Sequence, residues 1–304
     1  MKVSIIGAGN VGASCAQRLA EGGVEEVVLV DIVPGLAQGK AMDILQSAPL
    51  LGFSGKVTGE TTYEETASSD LIIITSGSNR KPGMDRQDLL RINKSIVTEV
   101  TKSVAERSPE AVIIMVTNPV EAMTYITLGA TGWKRERVIG LSGLLDGARF
   151  STFVAQELGV PPSEVRPWVL GEHGEEMLVL PRLTKIGDRP MEDILPPEKI
   201  KHLVERTRKG GAEIVELLKS ASASLAPSAA VFKMADSIMR DKKEILTASF
   251  YLEGEYGIKE SVLSVPLRLG RKGVEEVIEL ELNTDEKSAL VKAAEKVKQT
   301  LTSI

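Results

Sequence analysis

The sequence predicts an α/β protein, a doubly wound parallel sheet followed by a mixed α+β half. Three observations predict it. Short, near-continuously apolar runs recur about 20 to 40 residues apart with helical patterns between them, as parallel strands joined by helical crossovers do. The first run breaks into a glycine-rich turn and then a helix, the setting a dinucleotide-binding turn needs. Small and polar residues gather where the runs end, which is where open α/β sheets bind their ligands. A chain of 304 residues is long enough for such a core, as one large domain or two modest ones.

In order along the chain, Val3 to Ile6 is a β-branched run that ends in Gly7-Ala8-Gly9-Asn10-Val11-Gly12, and SCAQRLAE continues it as a helix. Val27 to Val30 is a second buried strand and ends in Asp31. Leu71 to Ile74 is a third, running into the loop TSGSNRKPGMDRQDLLR. Ile92, Ile96, Val97, Val100 and Val104 follow at helical spacing. Val112 to Val116 is a fourth strand, closed by Thr117-Asn118-Pro119, and Val138-Ile139 begins a fifth. The second half has a different grain. A helix over Leu144 to Leu158 precedes a strand from Val165 to Leu170 that ends in Gly171-Glu172-His173-Gly174. Ile214, Leu217 and Leu218 mark one further helix, and Val231, Met234, Ala235, Ile238 and Met239 form a one-sided stripe on another. Val262 to Leu269 and Val274 to Leu282 read as antiparallel strands, and Leu290, Ala294, Val297 and Leu301 as a last amphipathic helix. The boundary is expected near Leu141 to Gly143, giving a dinucleotide-binding part over 1–142 and a substrate part over 143–304.

Composition narrows the function. Apolar residues are 42% and charged residues 26%, an ordinary globular balance that argues against disorder. A net charge of −5 leaves no basic excess to neutralise phosphates, so nucleic acid is not an expected partner. A single cysteine, Cys15, excludes a disulfide framework and a cysteine-rich metal site. With two widely separated histidines and scattered carboxylates showing no ligand spacing, no metal is expected. No Gly-x-Ser-x-Gly elbow stands between a strand and a helix, which removes the serine-hydrolase reading. Glycines break the apolar run after Lys2, so it is no signal peptide, and no run approaches the roughly 18 apolar residues of a membrane helix. The expected location is cytoplasmic, with no membrane partner.

The residues that could carry chemistry lie at the strand ends. Gly7, Gly9 and Gly12 let backbone N–H groups approach a pyrophosphate at a helix N-terminus. Asp31, nineteen positions after Gly12, can accept hydrogen bonds from both ribose hydroxyls and would repel a 2′-phosphate, favouring NAD over NADP. His202 lies in the polar helical stretch KIKHLVER and reads as a surface residue. His173, between Gly171 and Gly174, is open to a ligand and can exchange a proton near neutral pH. Asp146 and Arg149 share a helix face, which suits either an intrahelical ion pair or a carboxylate that orients His173 beside an arginine aimed at a substrate. Asn118 is either a turn residue before proline or a donor to a substrate oxygen. Arg80, Lys81 and Arg86 crowd around Pro82-Gly83 in a loop suited to gripping carboxylates.

GAGNVG, the strand-end Asp31, RKPGMDR, VTNP, LDGARF and GEHG occur in the order and at the spacing of the lactate/malate dehydrogenase family. The chain resembles that family over nearly its whole length, and within it the lactate-dehydrogenase-like malate dehydrogenases. The resemblance implies a Rossmann-type first domain, NAD as cofactor and a small dicarboxylate, malate or oxaloacetate, as substrate, in a homodimer or homotetramer. It implies that His173 accepts and donates the proton, with Asp146 orienting it. Arg149 would clamp the carboxylate beside the reacting carbon, Arg86 would polarise the carbonyl from a closing loop, and Arg80 would hold the second carboxylate. Asn118 would touch substrate and nicotinamide, while Gly7, Ala8, Gly9, Asn10, Val11, Gly12, Asn93 and the backbone of Val116, Thr117 and Asn118 would lie along the cofactor. Asn79 and Gly147 depart from the family pattern, and SASASLAPSAA lacks its usual tyrosines, so Ser222 to Ser224 are named only as neighbours of the pocket. Lactate dehydrogenase is the nearest alternative, with glutamine where Arg80 stands. A non-catalytic NAD-binding regulator would have no use for the His173, Asp146 and arginine set, and an NAD-dependent glycoside hydrolase would want a longer chain and a metal site.

Overall fold

The structure, a computed structural model, describes residues 1–78, 86–219 and 221–302, with Arg86 described by its backbone alone. The chain runs β1 (Lys2–Ile6), α1 (Asn10–Glu21), β2 (Glu26–Val30), α2 (Leu36–Leu51), β3 (Lys56–Glu60), β4 (Leu71–Ile74), α3 (Arg86–Arg107), β5 (Val112–Met115), α4 (Val120–Thr131) and β6 (Val138–Gly140). These six strands lie in the order β3-β2-β1-β4-β5-β6 and pair in parallel throughout. The strand order reverses beside β1, between β1 and β4, where the crossovers leave a crevice at the carboxyl ends. Burial on both faces explains the near-continuous apolar runs. Val3, Ile5 and Leu29 pack into one core with α1 and α2, whereas Ile6, Val28 and Val30 pack into another with α3 and α4.

The second half continues as α5 (Gly143–Leu158), β7 (Val165–Arg166), β8 (Val169–Gly171), β9 (Met177–Val179), β10 (Lys185–Ile186), β11 (Arg189–Pro190), α6 (Pro197–Leu218), α7 (Leu225–Met239), β12 (Glu244–Glu253), β13 (Lys259–Gly270), β14 (Gly273–Val277) and α8 (Thr284–Thr302). Most of its strands continue the first sheet, and only β7, β10 and β11 form a small one of their own. Antiparallel β12 joins β6 through Ser249 and Gly140, then pairs along most of its length with β13, and β8 and β9 extend the same sheet. The backbones come close at this junction, since a Cβ on Gly140 would stand 2.9 Å from the Ser249 Cβ.

Two expected strands differ. The run from Val165 to Leu170 is split, with β7 in a small three-stranded sheet beside β10 and β8 in the main one. Pro167 stands between them with no N–H to give a ladder. The run from Val274 to Leu282 leaves the sheet after Val277, because the Tyr256 hydroxyl takes its backbone groups. That hydroxyl donates to the Ile278 carbonyl at 3.0 Å and accepts from the Leu280 N–H at 2.9 Å. Helices α2 and α4 and strands β3, β9, β10, β11 and β12 have no counterpart in the sequence reading.

Candidate active site

The turn after β1 is shaped by close approaches that only glycine allows. Gly7 has φ +111°, and a Cβ there would meet Thr75 Oγ1 at 2.6 Å and the Ser76 nitrogen at 2.8 Å. A Cβ on Gly12 would stand 1.8 Å from the Gly7 carbonyl oxygen, so its absence sets α1 tightly onto β1. Gly9 differs. A Cβ there would meet nothing within 4 Å, because it faces open space at the start of α1. No acidic side chain occupies the first turn of α1 and no side chain caps it, so its first N–H groups face the crevice. Asp31, at the end of β2, is oriented by two backbone donors. The Ala8 N–H gives to Oδ2 at 2.7 Å and the Val33 N–H to Oδ1 at 3.0 Å, which leaves one lone pair on each oxygen for a ligand.

Gly7, Gly9, Asn10, Val11, Gly12 and Asp31 line a cavity of about 460 Å³. Ile32, 83% exposed, adds an apolar lip beside Asp31. The donor-rich helix start, the Cβ-free approach at Gly9 and the oriented carboxylate fit a dinucleotide. Val11, Thr75, Gly77, Ser222 and Ala223 also line a second, neighbouring cavity of about 340 Å³. Val116, Thr117, Asn118, Arg149 and His173 complete much of its wall.

Asn93 stands behind that wall. It is buried, its Nδ2 donates to the carbonyls of Asn118 at 2.7 Å and Ser78 at 3.3 Å, and its Oδ1 accepts from the Ser78 N–H at 2.7 Å. Thr117 Oγ1 donates to the Ser76 carbonyl at 2.7 Å. Between them, Asn93 and Thr117 hold the strand-end loop over 75–78 and the Asn118 backbone in fixed relation. Ala8 is similarly committed, its N–H given to Asp31.

The second half supplies the titratable cluster. Asp146, on the first turn of α5, is 1% exposed and divides its carboxylate. Its Oδ2 accepts from His173 Nδ1 at 2.7 Å and its Oδ1 pairs with Arg149 Nη1 at 3.0 Å. The two alternatives open in the sequence, an ion pair or a histidine partner, both occur. With Nδ1 bound to Asp146, His173 lines the cavity and its other nitrogen is left for a ligand there. Burial works against the charged imidazole, but the charge and hydrogen bond of Asp146, with the charge of Glu121, outweigh it and Arg149. The His173 pKa is therefore raised above its ordinary value.

Arg149 lies against α6, where Gly210 and Gly211 make room for it. A Cβ on either would come within 3.4 Å of its side chain. Its Nε is buried with no acceptor among the described residues, so a carboxylate entering the cavity would satisfy it. His202 is exposed on α6, as its polar surroundings implied. Arg80 and the Lys81-Pro82-Gly83 stretch lie outside the described residues, as does the side chain of Arg86. Among the described residues no cluster of His, Cys, Asp or Glu could hold a metal. No helix there is long and apolar enough to cross a membrane. The sequence reading missed Glu121, a buried acid on α4 that accepts the His173 N–H at 2.8 Å. Its only signal was an acid directly after Asn118-Pro119-Val120, too short a cue to stand out among 42 acidic residues.

Comparison with known proteins matches residues 1–140 to the NAD binding domain of lactate/malate dehydrogenase and residues 144–304 to the α/β C-terminal domain of the same family. A malate dehydrogenase of Thermomicrobium roseum is 51% identical over 298 residues, covering 98% of this chain and 96% of its own. The solved malate dehydrogenase of Salinibacter ruber superposes with a TM-score of 0.96 at 44% identity, over 100% of this chain and 97% of that one. A lactate dehydrogenase of Cryptosporidium parvum, solved with lactic acid and nicotinamide adenine dinucleotide, superposes with a TM-score of 0.96 at 34% identity, over 99% and 96%.

Proposed function

The chain belongs to the lactate/malate dehydrogenase family, and from that premise we infer how its residues divide the work of an NAD-dependent malate dehydrogenase. It is an oxidoreductase that interconverts malate and oxaloacetate with NAD. The dinucleotide, when bound, supplies the hydride acceptor for the carbinol carbon. Every other step falls to side chains. His173 takes the hydroxyl proton at the nitrogen facing the smaller cavity, and returns it to the carbonyl in reduction. Asp146 keeps the Nδ1 proton in place and steadies the imidazolium that forms. Arg149 holds the carboxylate next to the reacting carbon, and Asn118 directs its amide to a substrate oxygen. Arg86 polarises the carbonyl where negative charge collects, and Arg80 grips the second carboxylate. Gly7 to Gly12 and Asp31 seat the dinucleotide, with Val116, Thr117 and Asn118 along its nicotinamide side and Asn93 bracing them. We divide the chain accordingly into a dinucleotide part over 1–142 and a substrate part over 143–304.

The observation that carries this division of labour is the forked Asp146, which joins a proton carrier and a carboxylate clamp at one cavity beside the glycine turn. Malate oxidation needs neutral His173, so it rises as pH climbs through the histidine's raised midpoint. Oxaloacetate reduction needs the imidazolium and falls over the same interval. A homodimer or homotetramer in the cytoplasm is the assembly we propose, supported by the exposed apolar Met42, Leu50 and Leu51 of α2.

The test is an NADH absorbance assay with oxaloacetate, pyruvate and 2-oxoglutarate side by side, with NADPH in parallel. Oxaloacetate with NADH is the expected best pair, because an arginine left unpaired in a closed site penalises a monocarboxylate. Arg80→Gln is expected to move preference towards pyruvate by about two orders of magnitude. A faster rate on pyruvate than on oxaloacetate in the unmodified protein overturns the role given to Arg80.

A further inference from the structure

A second acid stands behind the histidine and its aspartate. Glu121, in the first turn of α4, is 4% exposed, in a position where an apolar side chain would avoid the cost of burying a charge. Its Oε1 accepts the His173 backbone N–H at 2.8 Å. The Ser249 hydroxyl, on β12, lies 3.2 Å from the same oxygen and 2.8 Å from Ser142 Oγ. Ser249 is the donor towards both oxygens, so its single proton is shared between the carboxylate and Ser142. Ser142 precedes α5, and its carbonyl accepts the Leu145 and Asp146 N–H groups that start that helix.

We propose that Glu121 is a positioning residue for proton transfer: its carboxylate anchors the main chain at His173, ties it through Ser249 and Ser142 to the helix bearing Asp146, and supports the imidazolium by its charge. The role rests on His173 being the proton carrier. His173 and Asp146 arrive on different elements, yet must meet at 2.7 Å. The turn that brings His173 starts at Gly171, with φ +88°, and continues through Gly174, so its own backbone constrains it little. It is anchored from outside at two successive residues. Glu121 of α4 holds His173, and Lys296 of α8 holds the Glu172 carboxylate at 2.9 Å.

The His173 N–H, the shared Ser249 proton and the start of α4 favour the ionised acid. Burial nonetheless leaves the Glu121 carboxyl above its ordinary range, and the charge and N–H of His173 only limit that rise. Among the described residues, the charged groups around the imidazole are Asp146 and Arg149 from α5, Glu121 from α4, and Glu172 with its Lys296 partner from α8.

The experiment follows the imidazole titration by NMR in protein free of substrate and dinucleotide. The chain has two histidines, so His202→Gln assigns the His173 signal. Glu121→Gln keeps the acceptor for both donors and removes only the charge. The His173 midpoint is expected to fall by about one unit. The acid limb of kcat/KM for malate and the alkaline limb for oxaloacetate are expected to move down with it, whereas a purely structural role lowers the plateaus and leaves the limbs in place. Glu121→Asp keeps the charge but withdraws the acceptor, so its midpoint is expected near the native one with a lower kcat. An unmoved midpoint in folded Glu121→Gln, or an equal fall in both variants, overturns the proposal. Should the unmodified protein fail to turn over malate, the assignment of function falls separately, because the midpoints are read without turnover.

Discussion

Replacing Asp146 by asparagine changes one atom and removes two services at once. The amide must offer oxygen to either His173 or Arg149, and its NH2 group then faces the other as a donor. If the oxygen stays with Arg149, His173 is driven into the wrong tautomer. If it turns to His173, the arginine meets a second donor. Both outcomes leave the imidazolium without its counter-charge. Asp146→Asn is therefore expected to lower kcat by about two to four orders of magnitude and to raise KM for malate as well. Steady-state kinetics in both directions checks this, and a loss below tenfold removes the fork from the mechanism. At this scale the sequence was informative where chemistry needs a rare residue in an unusual setting. His173 is one of two histidines and sits between glycines, so it stood out. Glu121 did not, because the sequence shows neither its burial nor its contact with His173, which lies 52 residues away.

Elements were legible when burial imposed a pattern. Strands β1, β2, β4 and β5 are covered on both sides and read as near-continuous apolar runs, β1 broken only by Ser4. Helix α2 hid itself: Gly39 and Pro49 interrupt it, and Met42 and Leu50 point outward, so no clean stripe marks its buried side. The glycine turn makes the sharpest prediction here. A Cβ at Gly12 meets a backbone carbonyl rather than a side-chain tip, so nothing nearby can yield cheaply. Gly12→Ala is expected to part α1 from β1, weaken NADH binding by about tenfold or more, and cost roughly 1 to 3 kcal/mol of stability. Fluorescence titration with NADH and thermal melts measure the two effects. Unchanged NADH affinity would mean that the turn does not seat the dinucleotide.

At the scale of the whole molecule, one sheet runs through both functional parts. Strand β12 closes the edge that β6 would otherwise present, and its Ser249 also sits in the chain of hydrogen bonds behind His173. The full chain is expected to melt in a single transition, with near-ultraviolet circular dichroism and NADH fluorescence giving the same midpoint. A fragment of residues 1–142, which exposes the edge of β6, is expected to aggregate. Two resolved transitions, or a monomeric and stable fragment, would show that the parts fold independently. The fork at Asp146 bears on how such a protein can diversify. A lineage that drifts towards new substrates by replacing Arg149 perturbs its acid/base chemistry in the same step, because one carboxylate serves both. Substitutions at Ser222 or Ala223 remodel the same cavity with the fork intact. Inherited variation in substrate preference should accumulate at Arg80 and along that wall, while Asp146, Arg149 and His173 persist or are lost together.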